Sequence, residues 1–111
     1  MVFIESRYFT RRLLELAGGA ADQVLSGIQK DLLRAPARGA LVPGLGGIRK
    51  ARCANPARGK GKRGGYRYLY LYLEHRGHIH LLTLLDKDEQ EDLSADERTV
   101  LRRVVAAIRA E

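Results

Sequence analysis

Residues Tyr66–Glu74 read YRYLYLYLE, and after Arg76-Gly77 the chain returns as His78–Leu85, HIHLLTLL. Aromatic and aliphatic residues alternating with no glycine or proline have the period of a β-strand. The Arg-Gly pair is a turn signal, so the second run is expected to pair with the first as a hairpin. That second run is apolar at odd and even positions alike, which places it inside a sheet with both faces covered. Side chains alternate along a strand, so Tyr66, Tyr68, Tyr70 and Tyr72 share one face, and Arg67, Leu69, Leu71 and Leu73 the other. The tyrosine stripe is expected to pack in the core or against helices. Tyr66, nearest the strand's start, is the candidate exception for stacking on a base.

The remaining elements supply the covering layers. Val2–Ile4 is a short apolar strand. Ser6 is placed to cap a helix over Arg7–Ala17, in which Phe9, Leu13 and Leu16 recur at helical spacing, and Gly18-Gly19 ends it. A second helix over Ala21–Arg34 carries Val24, Leu25, Ile28, Leu32 and Leu33 as one stripe and stops at Ala35-Pro36. Ile48–Ala54 is bounded like a strand, and Asn55–Gly65 is a glycine-rich loop. Ser94-Ala95-Asp96-Glu97 forms a capping box that opens a last helix, running to Arg109. The expected fold is α+β: a small antiparallel sheet in the order β-α-α-β-β-β-α, flanked by helices. At 111 residues, 45% of them hydrophobic, residues 1–111 are expected to form a single domain without disulfides or metals.

Charge points to the partner. No Asp or Glu occurs between Asp31 and Glu74, while ten Lys and Arg residues lie from Arg34 to Arg67. From Asp86 onward eight acids face five bases, so the net charge of +7 originates in the middle of the chain. Such a run, interleaved with folded elements, is read as a polyanion site. Its glycines and proline argue against the basic amphipathic helix that a membrane surface would need. No apolar run reaches the ~20 residues of a membrane span, and the first residues lack signal-peptide organisation. The lone Cys53 fits a reducing, cytoplasmic setting and a semi-buried strand position. Gly59, Gly61 and Gly64 match a dinucleotide fingerprint in spacing, but they precede a strand rather than open a helix, so that reading is rejected. His75, His78 and His80 are expected to be exposed turn residues rather than metal ligands.

Four segments together carry a family likeness. They are Gly47-Ile-Arg-Lys-Ala-Arg52, Gly59-Lys-Gly-Lys-Arg-Gly-Gly-Tyr-Arg67, Leu81-Leu-Thr-Leu-Leu-Asp-Lys-Asp-Glu89 and Asp92-Leu-Ser94. In these the sequence resembles the RelE/HigB toxins of type II toxin–antitoxin systems, most nearly the HigB-like branch, over almost its whole length. The resemblance implies a RelE-like fold and a metal-independent, cofactor-free endoribonuclease. Such an mRNA interferase cuts mRNA on the ribosome, inhibits translation, and is neutralised by an antitoxin bearing a helix-turn-helix DNA-binding domain.

The residues permit that chemistry. RNA is cleaved when its own 2′-hydroxyl attacks the adjacent phosphate, which requires a base, a leaving-group acid and charge stabilisation. Arginine stays protonated and cannot be the base, whereas a lysine among cations has its charged form disfavoured. Lys50, between Arg49 and Arg52, is the candidate base; Arg52 and Arg67 are candidates to hold the phosphorane's charge. Lys87 matches the family lysine and is the candidate leaving-group acid; where relatives often carry an aromatic residue two positions earlier, this chain has Leu85. Arg49, Arg58, Lys60, Lys62 and Arg63 are the expected RNA-binding cations. Two alternatives accommodate the same charge: a nucleic-acid-binding module without catalysis, and a toxin of the same superfamily directed at DNA gyrase.

Overall fold

A computed structural model describes residues 1–58, 65–87, 89 and 93–111. Its elements are β1 (Val2–Glu5), α1 (Arg7–Ala17), α2 (Ala21–Arg34), β2 (Ala40–Leu41), β3 (Ile48–Cys53), β4 (Tyr66–Leu73), β5 (His78–Leu85) and α3 (Ala95–Arg109). The strands form one five-stranded sheet in the order β1-β5-β4-β3-β2. The expected meander β3-β4-β5 is antiparallel, whereas β1 lies parallel to β5. The two-residue β2, hidden by the glycines and prolines around it, adds antiparallel to β3.

Alternation along β4 divides the core. Tyr66, Tyr68 and Tyr70 pack with Phe9 and Leu13 of α1 and with Val24, Ile28 and Leu32 of α2. Leu69, Leu71 and Leu73 pack on the other face with Leu45, Ile48 and α3's Val105 and Ile108. Each buried Leu or Ile stabilises by about 1.5–3 kcal/mol, so both helical layers are held by the same strand. Two of these tyrosine hydroxyls are hydrogen-bonded, and that of Tyr68 is buried without a hydrogen bond among the described residues. Tyr70 donates to the Pro36 carbonyl (2.8 Å) and accepts from the Gly39 amide (2.9 Å). Tyr66 donates to the Leu16 carbonyl at 3.1 Å. Tyr66 is therefore no exception to the stripe: it is 3% exposed and fixed against the end of α1. Burial pushes the Tyr68 phenol well above its ordinary pKa.

A β-bulge sets the phase of β5. Tyr70 pairs with Leu81 but Leu69 with Thr83, so one residue of β5 is skipped. Past the bulge the parity of β5 is inverted. Leu84 joins the α1–α2 core, and Leu85 comes opposite Arg67. Helix caps follow the sequence closely: Ser6 accepts from the Phe9 amide, and Ser94 and Glu97 form the capping box. Gly77 takes the left-handed conformation between β4 and β5, at φ 65°. Among the described residues no helix is long and apolar enough to cross a membrane.

One histidine departs from expectation. His75 is exposed and His78 half-buried, but His80 lies within β5, 6% exposed, paired with Leu71 on one side and Ile4 on the other. A residue this far into a central strand cannot be a turn residue. Burial, which outweighs the attraction of Glu111, lowers its pKa, and neighbouring His78 and Arg76 lower it further. On acidification the unfolded chain therefore takes up the proton first, so stability falls as pH drops below the ordinary histidine pKa, about 6.5. The denaturation midpoint should fall between about pH 7 and pH 5 by more in the native protein than in His80→Leu. Equal falls would show that His80 is not a source of acid sensitivity.

Candidate active site

The face of the sheet under α3 is only partly covered. The fully buried residues of α3, Val105 and Ile108, lie in its C-terminal half, over Leu71 and Leu73. Toward the start of β4 the same face presents cations. Arg67 is the second residue of β4, directly opposite Arg52 of β3 on one side and Leu85 of β5 on the other. Lys50, two residues before Arg52, shares its face and stands opposite Leu69. The structure thus brings three of the expected catalytic residues, Lys50, Arg52 and Arg67, to one patch. Like charges directly across a strand pair repel. Here two arginines stand face to face, with a lysine beside them.

The three are held differently. Arg67 is 9% exposed despite its charge, and its Nη2 donates to the backbone carbonyls of Lys87 (2.5 Å) and Glu89 (3.5 Å). Its side chain thereby ties the start of β4 to the turn after β5. On its other side the start of β4 comes close to the end of β3, which Gly65 permits, because a Cβ there would lie 1.8 Å from the Cys53 carbonyl oxygen. Arg52 is exposed and Lys50 half-buried. Lys50 lines a cleft of about 300 Å³ with Leu41, Pro43, Leu69, Leu85 and Arg98. Lys87 is exposed, its amide donating to Asp86 Oδ1 at 2.7 Å and its carbonyl accepting from Arg67.

The expected RNA-binding cations do not all join this face. Arg49 alternates to the opposite side of β3, opposite Tyr70, where Nη1 donates to the carbonyls of Ala37 (3.1 Å) and Gly39 (2.7 Å). Its observed contacts secure the segment leading into β2. Arg58 forms an ion pair with Asp86 at 3.2 Å, so an acid remote in sequence reaches the basic segment. Lys60, Lys62 and Arg63 lie outside the described residues. Sequence reasoning missed Arg98, because it belongs to α3, whose net charge near the N-terminus is acidic. Its guanidinium nonetheless donates to the Pro43 carbonyl and lines the Lys50 cleft. Among the described residues no three His, Cys, Asp or Glu side chains converge as a metal site would require.

With helices on both faces of a five-stranded sheet ordered β1-β5-β4-β3-β2, the chain has the RelE fold. It is similar to the isolated E. coli RelE toxin, with a TM-score of 0.55 at 16% identity over 96% of each chain. It is also similar to a mutant E. coli RelE in the free state, with a TM-score of 0.58 at 14% identity, over 93% of this chain and 94% of that one. The intact E. coli RelBE toxin–antitoxin complex contains a chain matched at 15% identity and a TM-score of 0.54, over 78% of this chain and 96% of that one. No family model matches the sequence.

The two faces of β3 should be separable by mutation. Arg52→Ala is expected to weaken RNA binding and to reduce the slope of log affinity against log salt by about one. Arg49→Ala should leave that slope unchanged but lower thermal stability, since two carbonyls lose their donor. Fluorescence-anisotropy titrations at several salt concentrations, beside a melting curve, check both. An unchanged slope in Arg52→Ala would remove that residue from the anion face.

Proposed function

We propose that this chain is the toxin of a toxin–antitoxin system, of RelE/HigB type on its HigB-like branch. It acts as a metal-independent endoribonuclease that cleaves mRNA on the ribosome and so inhibits translation. The observation that carries this reading is the meeting of Lys50, Arg52 and Arg67 on one open face, beside the turn that bears Lys87. The RelE fold supports it, as do the sequence segments around these four residues. Residues 1–111 serve as one domain in this account.

Each residue takes a role its position allows. Lys50 removes the proton from the 2′-hydroxyl of the nucleotide preceding the cut, and that oxygen attacks phosphorus. The P–O5′ bond breaks, and the ammonium of Lys87 gives its proton to the leaving 5′-oxygen. The products are a 2′,3′-cyclic phosphate and a 5′-hydroxyl, with no water consumed. Arg52 and Arg67 hold the non-bridging oxygens as charge builds in the phosphorane. A permanently charged guanidinium held on a rigid strand keeps its position as that charge develops, which suits Arg67. The same cationic face suits an acidic segment of an antitoxin with a helix-turn-helix domain; the likeness to a chain of the RelBE toxin–antitoxin complex supports an antitoxin partner as such.

Two experiments test the chemistry and the site. A programmed ribosome carrying mRNA with a single 2′-deoxy nucleotide at the cleavage position should resist cutting there, while the all-ribose message is cut to a cyclic phosphate. Cleavage of the deoxy message at the same bond would exclude the internal nucleophile. Arg67→Ala, once shown to fold and to bind ribosomes, should slow single-turnover cleavage about a hundredfold or more at saturation. A loss of affinity alone would leave Arg67 a docking residue. DNA breaks without transcript cleavage after induction would instead identify a gyrase-directed toxin.

A further inference from the structure

Lys87, the proposed leaving-group acid, is exposed and stands just past the end of β5. Three sets of contacts meet at the turn after β5. Arg12 of α1 has a side chain only 17% exposed. Its Nε donates to the Leu84 carbonyl at 3.0 Å, and its Nη2 is paired with the Glu89 carboxylate. The register of β1 ends at Leu81, and Ser6 Oγ (to Leu82) and Arg12 Nε (to Leu84) take over carbonyls of β5 beyond it. Glu89 Oε1, the oxygen that Arg12 grips, also accepts from the Asp86 amide at 3.0 Å. The Glu89 amide returns a bond to the Asp86 carbonyl at 3.1 Å. Asp86 Oδ1 in turn accepts from the Lys87 amide, and Arg67 takes the Lys87 and Glu89 carbonyls.

We propose that Arg12 is a positioning residue for the cleavage reaction, acting through Glu89 and Asp86 to fix the backbone that carries Lys87. This rests on the ribonuclease reading of the site. Arg12 belongs to α1, which covers the other face of the sheet from Lys50 and Arg52, and its guanidinium is occupied by Leu84 and by Glu89, with Glu15 nearby at 3.8 Å. It therefore serves the reaction by geometry and does not touch RNA. Charge-assisted bonds to a mostly buried guanidinium are among the stronger local constraints. A displacement of about 1 Å in a catalytic group is worth up to about a hundredfold in rate.

The test is a double-mutant cycle on intact protein and programmed ribosomes, with hydrogen exchange as an activity-independent readout. Arg12→Ala should slow single-turnover cleavage at saturation by about tenfold or more, with ribosome affinity changed less than about twofold. In a Lys87→Ala background the same substitution should have almost no further effect, because the group it positions is gone. A merely structural role would slow both backgrounds equally and would overturn the proposal. Amide exchange at Asp86, Lys87 and Glu89 should accelerate in Arg12→Ala while the core of β4 stays protected. Unchanged exchange at those three amides would refute the clasp whether or not the protein cleaves RNA. Faster exchange in a native protein that cuts no transcript would leave the clasp standing and overturn the ribonuclease reading, together with the positioning role of Arg12 in cleavage.

Discussion

A guanidinium buried to the extent of Arg67 is costly unless its donors are satisfied, since the effective penalty for desolvating an ion is several kcal/mol. Backbone offsets part of that cost: the Lys87 and Glu89 carbonyls accept from Nη2. The consequence reaches beyond one side chain. The turn after β5 is drawn to the start of β4, and Lys87 is brought to the same end of the sheet as Arg52 and Lys50. Arg52 then sits directly opposite Arg67.

The position of Arg67 depends in turn on β4 being buried on both faces. Tyrosines lock one face to α1 and α2, and leucines lock the other to α3. A strand held in this way does not slip, because a shift of one residue would exchange the two sets. Arg67 follows Tyr66, whose hydroxyl is tied to Leu16, so its backbone is anchored within one residue. The bulge in β5 performs the matching adjustment on the other side by placing Leu85 opposite Arg67. The architecture thus separates a rigid part of the site, on β3 and β4, from a part held by ion pairs, after β5.

Most of this was legible in the sequence where local chemistry decides. α1, α2 and β5 run between the residues their caps and periodicities predict, and the Ser94–Glu97 box opens α3 as expected. The shared face of Lys50, Arg52 and Arg67 follows from alternation once β3 and β4 are paired in this register. What remained illegible depends on contacts between distant segments. The parallel pairing of β1, the bulge and the burial of His80 are decided by tertiary packing, not by local propensity. Arg49 looked equivalent to its neighbours in a run of cations, yet its parity sends it to the carbonyls of Ala37 and Gly39. Arg58 looked unpaired within its own segment, and Asp86 reaches it from the far end of β5. Charge composition locates a polyanion site coarsely; strand parity sorts which cations face it.

The most direct measurement is a structure of the protein on a ribosome whose mRNA carries a 2′-deoxy nucleotide at the cleavage position, so that the bound state persists. The account predicts a backbone phosphate against the face bearing Lys50, Arg52 and Arg67, with its non-bridging oxygens about 3 Å from the Arg67 guanidinium. Lys50 should stand beside the position of the missing 2′-hydroxyl, and Lys87 beside the 5′-oxygen. A message bound on the α1–α2 side of the sheet, or phosphates that approach only Arg49 and Arg58, would contradict it.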